Sequence, residues 1–334
     1  MNAVAKDAGE PLLSVEDLRV TFGSPRGELV AVDGVDFQVG IGEVLGIAGE
    51  SGSGKSVTLR SILRLVRAPG QVCGKVLWRG RDLLTLPEPE LRKVRGGEIG
   101  VIFQEPMTAL NPVLTVGMQI RENLEEHTSL DAGGRQKRAI ELMDHVGIPA
   151  GKSRLDDYPH QFSGGMRQRA MIAIALASNP RLLLADEPTT ALDVTIQDQI
   201  LKLILRLRSE LDMSVILVTH DLGVIAQTCD RLAVMYAGRV VETGRVADLF
   251  RQPRHAYTLG LLNSVPRAGA VRQPLSSIPG QPPHLTQKAT GCAFVPRCRF
   301  AIAACSDGPP PLVEVAPEHR SACLCHRAVG RERA

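Results

Sequence analysis

The chain has 334 residues, 44% of them hydrophobic and 3% aromatic, with 39 Lys and Arg against 36 Asp and Glu for a formal net charge of +3. That near-neutral balance argues against a basic nucleic-acid or anionic-lipid binder, and so few aromatic rings leave few platforms for stacking bases. No apolar run approaches the ~18 residues that cross a bilayer, and Met1 to Pro11 carries Lys6, Asp7 and Glu10 without the apolar stretch of a secretory signal, so the chain is expected in the cytoplasm.

Val44, Leu45, Ile47 and Ala48 read as a short buried strand, and Leu59, Ile62, Leu63 and Val66 recur at helical spacing. Between them stand Gly49, Glu50, Ser51, Gly52, Ser53, Gly54, Lys55 and Ser56, a G-x-x-x-x-G-K-[ST] phosphate-binding loop. Its glycines let successive N–H groups turn toward phosphates, Lys55 can reach the β and γ phosphates, and the Ser56 hydroxyl can ligate Mg²⁺. A nucleoside triphosphate is the expected ligand.

From about Thr108 to Pro159 the pattern is helical, with helices expected over Met118 to Glu126 and Gln136 to Val146, separated by Asp131, Ala132, Gly133 and Gly134. Ser163, Gly164 and Gly165 then precede a helix carrying Met171, Ile172, Ile174 and Ala175, a second helix start able to face an anion. The apolar run Arg181 to Ala185 ends in Asp186 and Glu187, carboxylates at the ligand end of a buried parallel strand. Asp186 suits Mg²⁺ through its hydration shell, and Glu187 suits polarisation of the attacking water. Ile196, Ile200, Leu203, Ile204, Leu207 and Leu211 form one helical face, and Ser214 to Thr219 is a further strand that delivers His220 toward the γ-phosphate position. Strand, helix, strand calls for a parallel sheet.

Five of the seven cysteines fall in the last part of the chain. Cys292, Cys298, Cys305 and Cys323 are spaced C-x5-C-x6-C-x17-C among several prolines, where helix and strand periodicity vanish. A segment with so little core of its own is expected to be cross-linked by metal. Four thiolates suit either a [4Fe–4S] cluster or tetrahedral Zn²⁺, and Cys325 is an extra thiol able to replace Cys323. Arg327 to Ala334 reads as a disordered tail.

Phe162, Ser163, Gly164, Gly165, Met166, Arg167, Gln168 and Arg169 resemble the signature motif of ABC-type ATPases, with Phe162 and Met166 where Leu and Gln are usual. Together with the phosphate loop, the acidic strand and the later histidine, this identifies the chain as a member of that superfamily. The segments Phe103 to Pro112, Tyr158 to Gln161 and Pro253 to Thr258 are similar to those of ATP-binding subunits of dipeptide and oligopeptide importers.

The resemblance implies an α/β fold: a P-loop cassette over residues 12–245 with a mixed sheet, an antiparallel β subdomain and a helical insertion at about 108–159. An accessory region with a four-cysteine site then covers 246–334. It implies roles for Gln104, as the glutamine contacting Mg²⁺ and water, for Ala191, Leu192 and Asp193 as the D-loop, for His220 as the switch histidine, and for Phe22 as the ring stacking on adenine. It further implies a [4Fe–4S] cluster on the cysteines. The implied partners are a second, paralogous cassette, two membrane permease subunits and an extracytoplasmic binding protein, with the chain peripheral on the cytoplasmic face of the membrane. Dipeptide, oligopeptide, glutathione and nickel chelate all remain open as cargo. The alternative is a soluble ABC ATPase acting on nucleic acid or the ribosome, against which the single cassette and the near-neutral charge count.

Overall fold

The computed structural model describes residues 10–24, 27–190, 192–264, 277–283 and 290–332. Two sheets organise it. The smaller is antiparallel, in the order β2 (Gly27–Val39), β1 (Leu13–Ser24), β4 (Gly70–Trp78), β5 (Arg81–Asp82). The larger has eight strands, and its parallel heart runs β9 (Arg231–Tyr236), β3 (Val44–Ala48), β8 (Ser214–Val218), β7 (Leu182–Asp186), β6 (Ile99–Ile102). Beyond β9 come β10 (Arg239–Arg245), β12 (His319–Ser321) and β11 (Val313–Ala316), all antiparallel. The fold is thus α/β with a mixed sheet and a separate antiparallel sheet.

Strands β3, β7 and β8 are buried along their whole length, which is why they read as continuous apolar runs rather than alternating ones. Successive side chains still part to opposite faces. Leu183, Ala185, Val215 and Leu217 join the insertion helices through Ile120, Leu124, Leu142 and Met143. Leu182, Leu184, Ile216 and Val218 instead pack with Leu13, Phe37 and Trp78 of the antiparallel sheet.

The insertion helices span Val116–His127 and Ala132–His145. Asp131 does not merely separate them: its Oδ1 accepts the Gly134 N–H at 2.7 Å and caps the second helix, which therefore starts earlier than its apolar pattern suggests. Two further expectations change at the C-terminus. The cysteine segment does contain strands, β11 and β12, which extend the large sheet. The end of the chain is also not a disordered tail over its described length. A helix covers His326–Arg331, and its Val329 is fully buried with Leu249, Tyr257 and Phe294, a burial that contributes on the order of 1.5–3 kcal/mol for a side chain of this kind. Among the described residues no helix is long and apolar enough to cross a membrane.

Candidate active site

The C-terminal ends of four parallel strands converge on one site, since β3 leads into Gly49, β6 into Gln104, β7 ends at Asp186 and β8 leads into His220. The loop Gly49 to Ser56 bends without side-chain interference: a Cβ on Gly49 would lie 2.2 Å from the Met235 carbonyl oxygen, and one on Gly54 would lie 2.5 Å from that of Ala31. Helix Lys55–Ile62 follows directly, so the loop's amides face the site with the helix start behind them. Lys55 is buried, and its Nζ donates to the carbonyls of Gly49 at 2.7 Å and Glu50 at 3.0 Å. Burial lowers its pKa, against the opposing pull of Glu187, Asp186 and Glu50.

Ser56 Oγ donates to Asp186 Oδ1 at 2.8 Å. The other carboxylate oxygen of Asp186 is buried with no hydrogen-bond partner, as is Ser53 Oγ in the loop. Burial raises the Asp186 pKa, the opposing effects being its bond from Ser56 and the charges of Arg60 and Lys55. A hydroxyl beside a half-satisfied, desolvated carboxylate is a donor set that fits a hard cation such as Mg²⁺.

Glu187 is the meeting point of the rest. It adopts φ +45°, a left-handed conformation that costs a non-glycine residue on the order of 1–3 kcal/mol, and its N–H donates to the Val218 carbonyl at 3.0 Å. Its Oε2 accepts from Thr190 Oγ1 at 2.8 Å and from Gln104 Nε2 at 3.4 Å, and lies 3.3 Å from His220 Nδ1. The Glu187 side chain is 14% exposed and that of His220 is 68% exposed. The carboxylate is therefore held while the imidazole remains open to a ligand.

Other candidates lie apart from this cluster. Ser163 caps helix Gly164–Ala175 by accepting the Met166 N–H at 3.4 Å, and the neighbours of Gly164 and Gly165 are Leu192 and Ile196. Asp193 caps helix Val194–Leu211 through Ile196 N–H at 3.0 Å. Ala191 lies outside the described residues. Phe22 pairs with Leu29 and Gly70 across β1 and packs partly buried against the antiparallel-sheet core. Sequence reasoning missed Thr190 and, more consequentially, Tyr257 and Arg297. Tyr257 OH accepts the Glu50 N–H at 2.7 Å, and Arg297 grips the Glu50 carboxylate at 2.7 and 2.9 Å. The adjacent Cys298 drew attention to metal binding and away from the arginine.

The expectation of an iron–sulfur cluster, and of zinc as its substitute, is corrected. Cys292, Cys298, Cys305, Cys323 and Cys325 line one small apolar cavity with Phe294 and Ala301. Among the described residues, however, no group of three or more His, Cys, Asp or Glu side chains is placed to hold a metal ion. The cysteines are free, and burial pushes the thiols of Cys292 and Cys298 up and that of Cys323 up to about 12, so they are neutral in the chain as it stands. Cys325 Sγ donates instead to the Phe300 carbonyl at 3.1 Å. The segment is held by apolar packing and sheet hydrogen bonds.

Comparison with known proteins gives a consistent result. Residues 32–190 match the ABC transporter family, and residues 241–305 match the oligopeptide/dipeptide transporter C-terminal region. The chain is 48% identical to the oligopeptide transport ATP-binding protein OppD of Escherichia coli (strain K12) over 321 residues, 96% of this chain and 95% of that protein. It is 50% identical to the protein of the same name from Bacillus subtilis (strain 168) over 311 residues, 92% of this chain and 87% of that one. Among solved structures, a dimeric ATP-binding cassette in a post-hydrolysis state with ADP and phosphate aligns with a TM-score of 0.63 at 30% identity, covering 70% of this chain and 98% of that one.

Proposed function

The chain belongs to the ATP-binding proteins of oligopeptide/dipeptide ABC transporters, and from that premise we propose that it binds and hydrolyses MgATP to drive import of peptides. The observation that carries the chemistry is the Glu187 carboxylate, held by Thr190 and Gln104 beside His220 at the mouth of a phosphate loop.

In this reading Lys55 turns from the loop carbonyls to the β and γ phosphates, and the loop amides take the remaining phosphate oxygens. Ser56, Asp186 and Gln104 hold Mg²⁺, which when bound neutralises charge on the triphosphate. Glu187 accepts the proton of the attacking water, Gln104 orients that water, and His220 donates to the γ-phosphate as charge develops on it. Phe22 stacks on the adenine.

Residues 12–245 act as the cassette, about 108–159 as its helical insertion, and 246–334 as the accessory region. A second, related cassette supplies the facing half of each ATP site. Support comes from the helix start at Ser163, Gly164 and Gly165, from Asp193, and from the neighbouring Val194, an apolar side chain 83% exposed. Exposed Met107, Val113, Met118 and Tyr158 in and beside the insertion favour docking against two membrane permease subunits on the cytoplasmic face. Peptide reaches the permease from an extracytoplasmic binding protein.

The test is Glu187→Gln. Hydrolysis falls by about 10²- to 10⁴-fold, the usual worth of a general base, while MgATP still binds. In cells the variant abolishes uptake of labelled dipeptide or pentapeptide. Uptake of both at wild-type rates, with normal protein levels, would refute the proposal.

A further inference from the structure

Glu50 is an oddity in a site for a polyanion, a carboxylate at the second position of the phosphate loop. Its main-chain N–H donates to Tyr257 OH at 2.7 Å, its carbonyl accepts from Lys55 Nζ at 3.0 Å, and its carboxylate receives both Nη atoms of Arg297 at 2.7 and 2.9 Å. The Arg297 side chain is only 4% exposed. Its Nε donates to the Pro279 carbonyl at 2.8 Å, and its Nη1 also reaches Tyr236 OH at 3.3 Å. The guanidinium carbon lies 5.9 Å from the ring centre of Tyr236 and 5.8 Å from that of Phe294. Both Tyr257 and Arg297 come from the C-terminal part of the chain, Arg297 from among the cysteines.

We propose that Arg297 is a positioning residue of the nucleotide site: it neutralises and fixes Glu50, so that affinity for the triphosphate is set from the accessory region. The inference rests on the MgATP reading of the phosphate loop. Without the guanidinium, a negative charge would face the phosphates from within the loop that binds them, in surroundings where Coulomb energies exceed those in water. A planar fork meeting a carboxylate with two hydrogen bonds also fixes where that charge sits.

The test is MgATP titration of the full chain at low and high salt, with Arg297→Gln, Glu50→Gln, the double variant, and Lys55→Ala as control. Arg297→Gln weakens binding by about tenfold at low salt, and by less at high salt. Glu50→Gln, which leaves the Arg297 charge facing the phosphates, tightens it by roughly threefold. The double variant returns to within about threefold of the native affinity, because the repulsion and its remedy leave together. A native affinity in Arg297→Gln, or a double variant at least as weak as Arg297→Gln, overturns the proposal. Should Arg297→Gln fail to fold, Glu50→Gln decides alone: tighter binding upholds the proposal, and unchanged or weaker binding overturns it. If instead Lys55→Ala binds like the native chain, the nucleotide-site reading itself is at fault.

Discussion

Asp186 and Glu242 are both buried carboxylates, 2% and 0% exposed, and they serve opposite ends. At the phosphate end Asp186 has one donor, Ser56, and leaves an oxygen buried without a partner. At the root of the accessory region Glu242 accepts the N–H of Arg254 at 2.6 Å and that of His255 at 2.9 Å, and faces His319 Nε2 at 2.7 Å. The first site holds charge ready for something outside the chain. The second uses its charge to tie β10 to the following segment and to β12, residues 77 positions away. A buried acid is informative chiefly through what it lacks.

Substitutions that remove only the charge break this comparison most directly. Asp186→Asn lowers ATP hydrolysis by about a hundredfold or more, through loss of cation stabilisation worth several kcal/mol. It changes the unfolding free energy of the nucleotide-free protein by no more than about 1 kcal/mol, because the lost charge was itself desolvated. Glu242→Gln does the reverse. An amide set among donors keeps only part of their bonding, and the fold loses about 1–3 kcal/mol, the cost of leaving a buried donor without its acceptor. Hydrolysis per folded molecule falls far less. Steady-state ATPase rates paired with urea unfolding check both, and equal stability losses in the two variants would dissolve the distinction.

The phosphate end was legible in the sequence because each part is local. A strand, a glycine-rich turn and a helix follow one another at Gly49 to Ser56, and the acidic pair ends an unbroken apolar strand at Asp186 and Glu187. Strand period and loop chemistry are short-range signals, and they place these residues before any tertiary contact is known. The accessory region was not legible, since its order comes from distant partners. Arg297 reaches Glu50 across 247 positions, and β12 pairs with β10 although its three residues carry no pattern of their own. Cysteine spacing, a covalent-looking signal, filled that gap and suggested a metal where apolar packing around Tyr257, Phe294 and Val329 holds the segment. Asp131 failed in a smaller way: its capping role depends on side-chain geometry that apolar periodicity does not register.

The smallest expected effect separates the two regions by pH. His255 is completely buried, its pKa is pushed down to about 4 by desolvation, and its Nδ1 accepts the Tyr257 N–H at 3.1 Å, a bond that needs the neutral ring. A free histidine titrates near 6.5, so below that pH the unfolded chain takes up a proton that the folded chain refuses. The contribution of His255 to stability is full above about pH 6.5 and declines as pH falls toward 4, by about 2 kcal/mol between pH 7 and 5. His255→Asn can keep an acceptor near Tyr257 N–H and cannot titrate, so its unfolding free energy should lose about 2 kcal/mol less than the native chain over that interval. Parallel pH profiles from urea unfolding would remove the effect. Asp186 runs the other way, because burial raises its pKa and protonation of the nucleotide-free protein relieves desolvation instead of adding to it. Mild acid should therefore loosen the root of the accessory region first, at the helix that carries Tyr257 to Glu50, before it weakens the packing of Asp186.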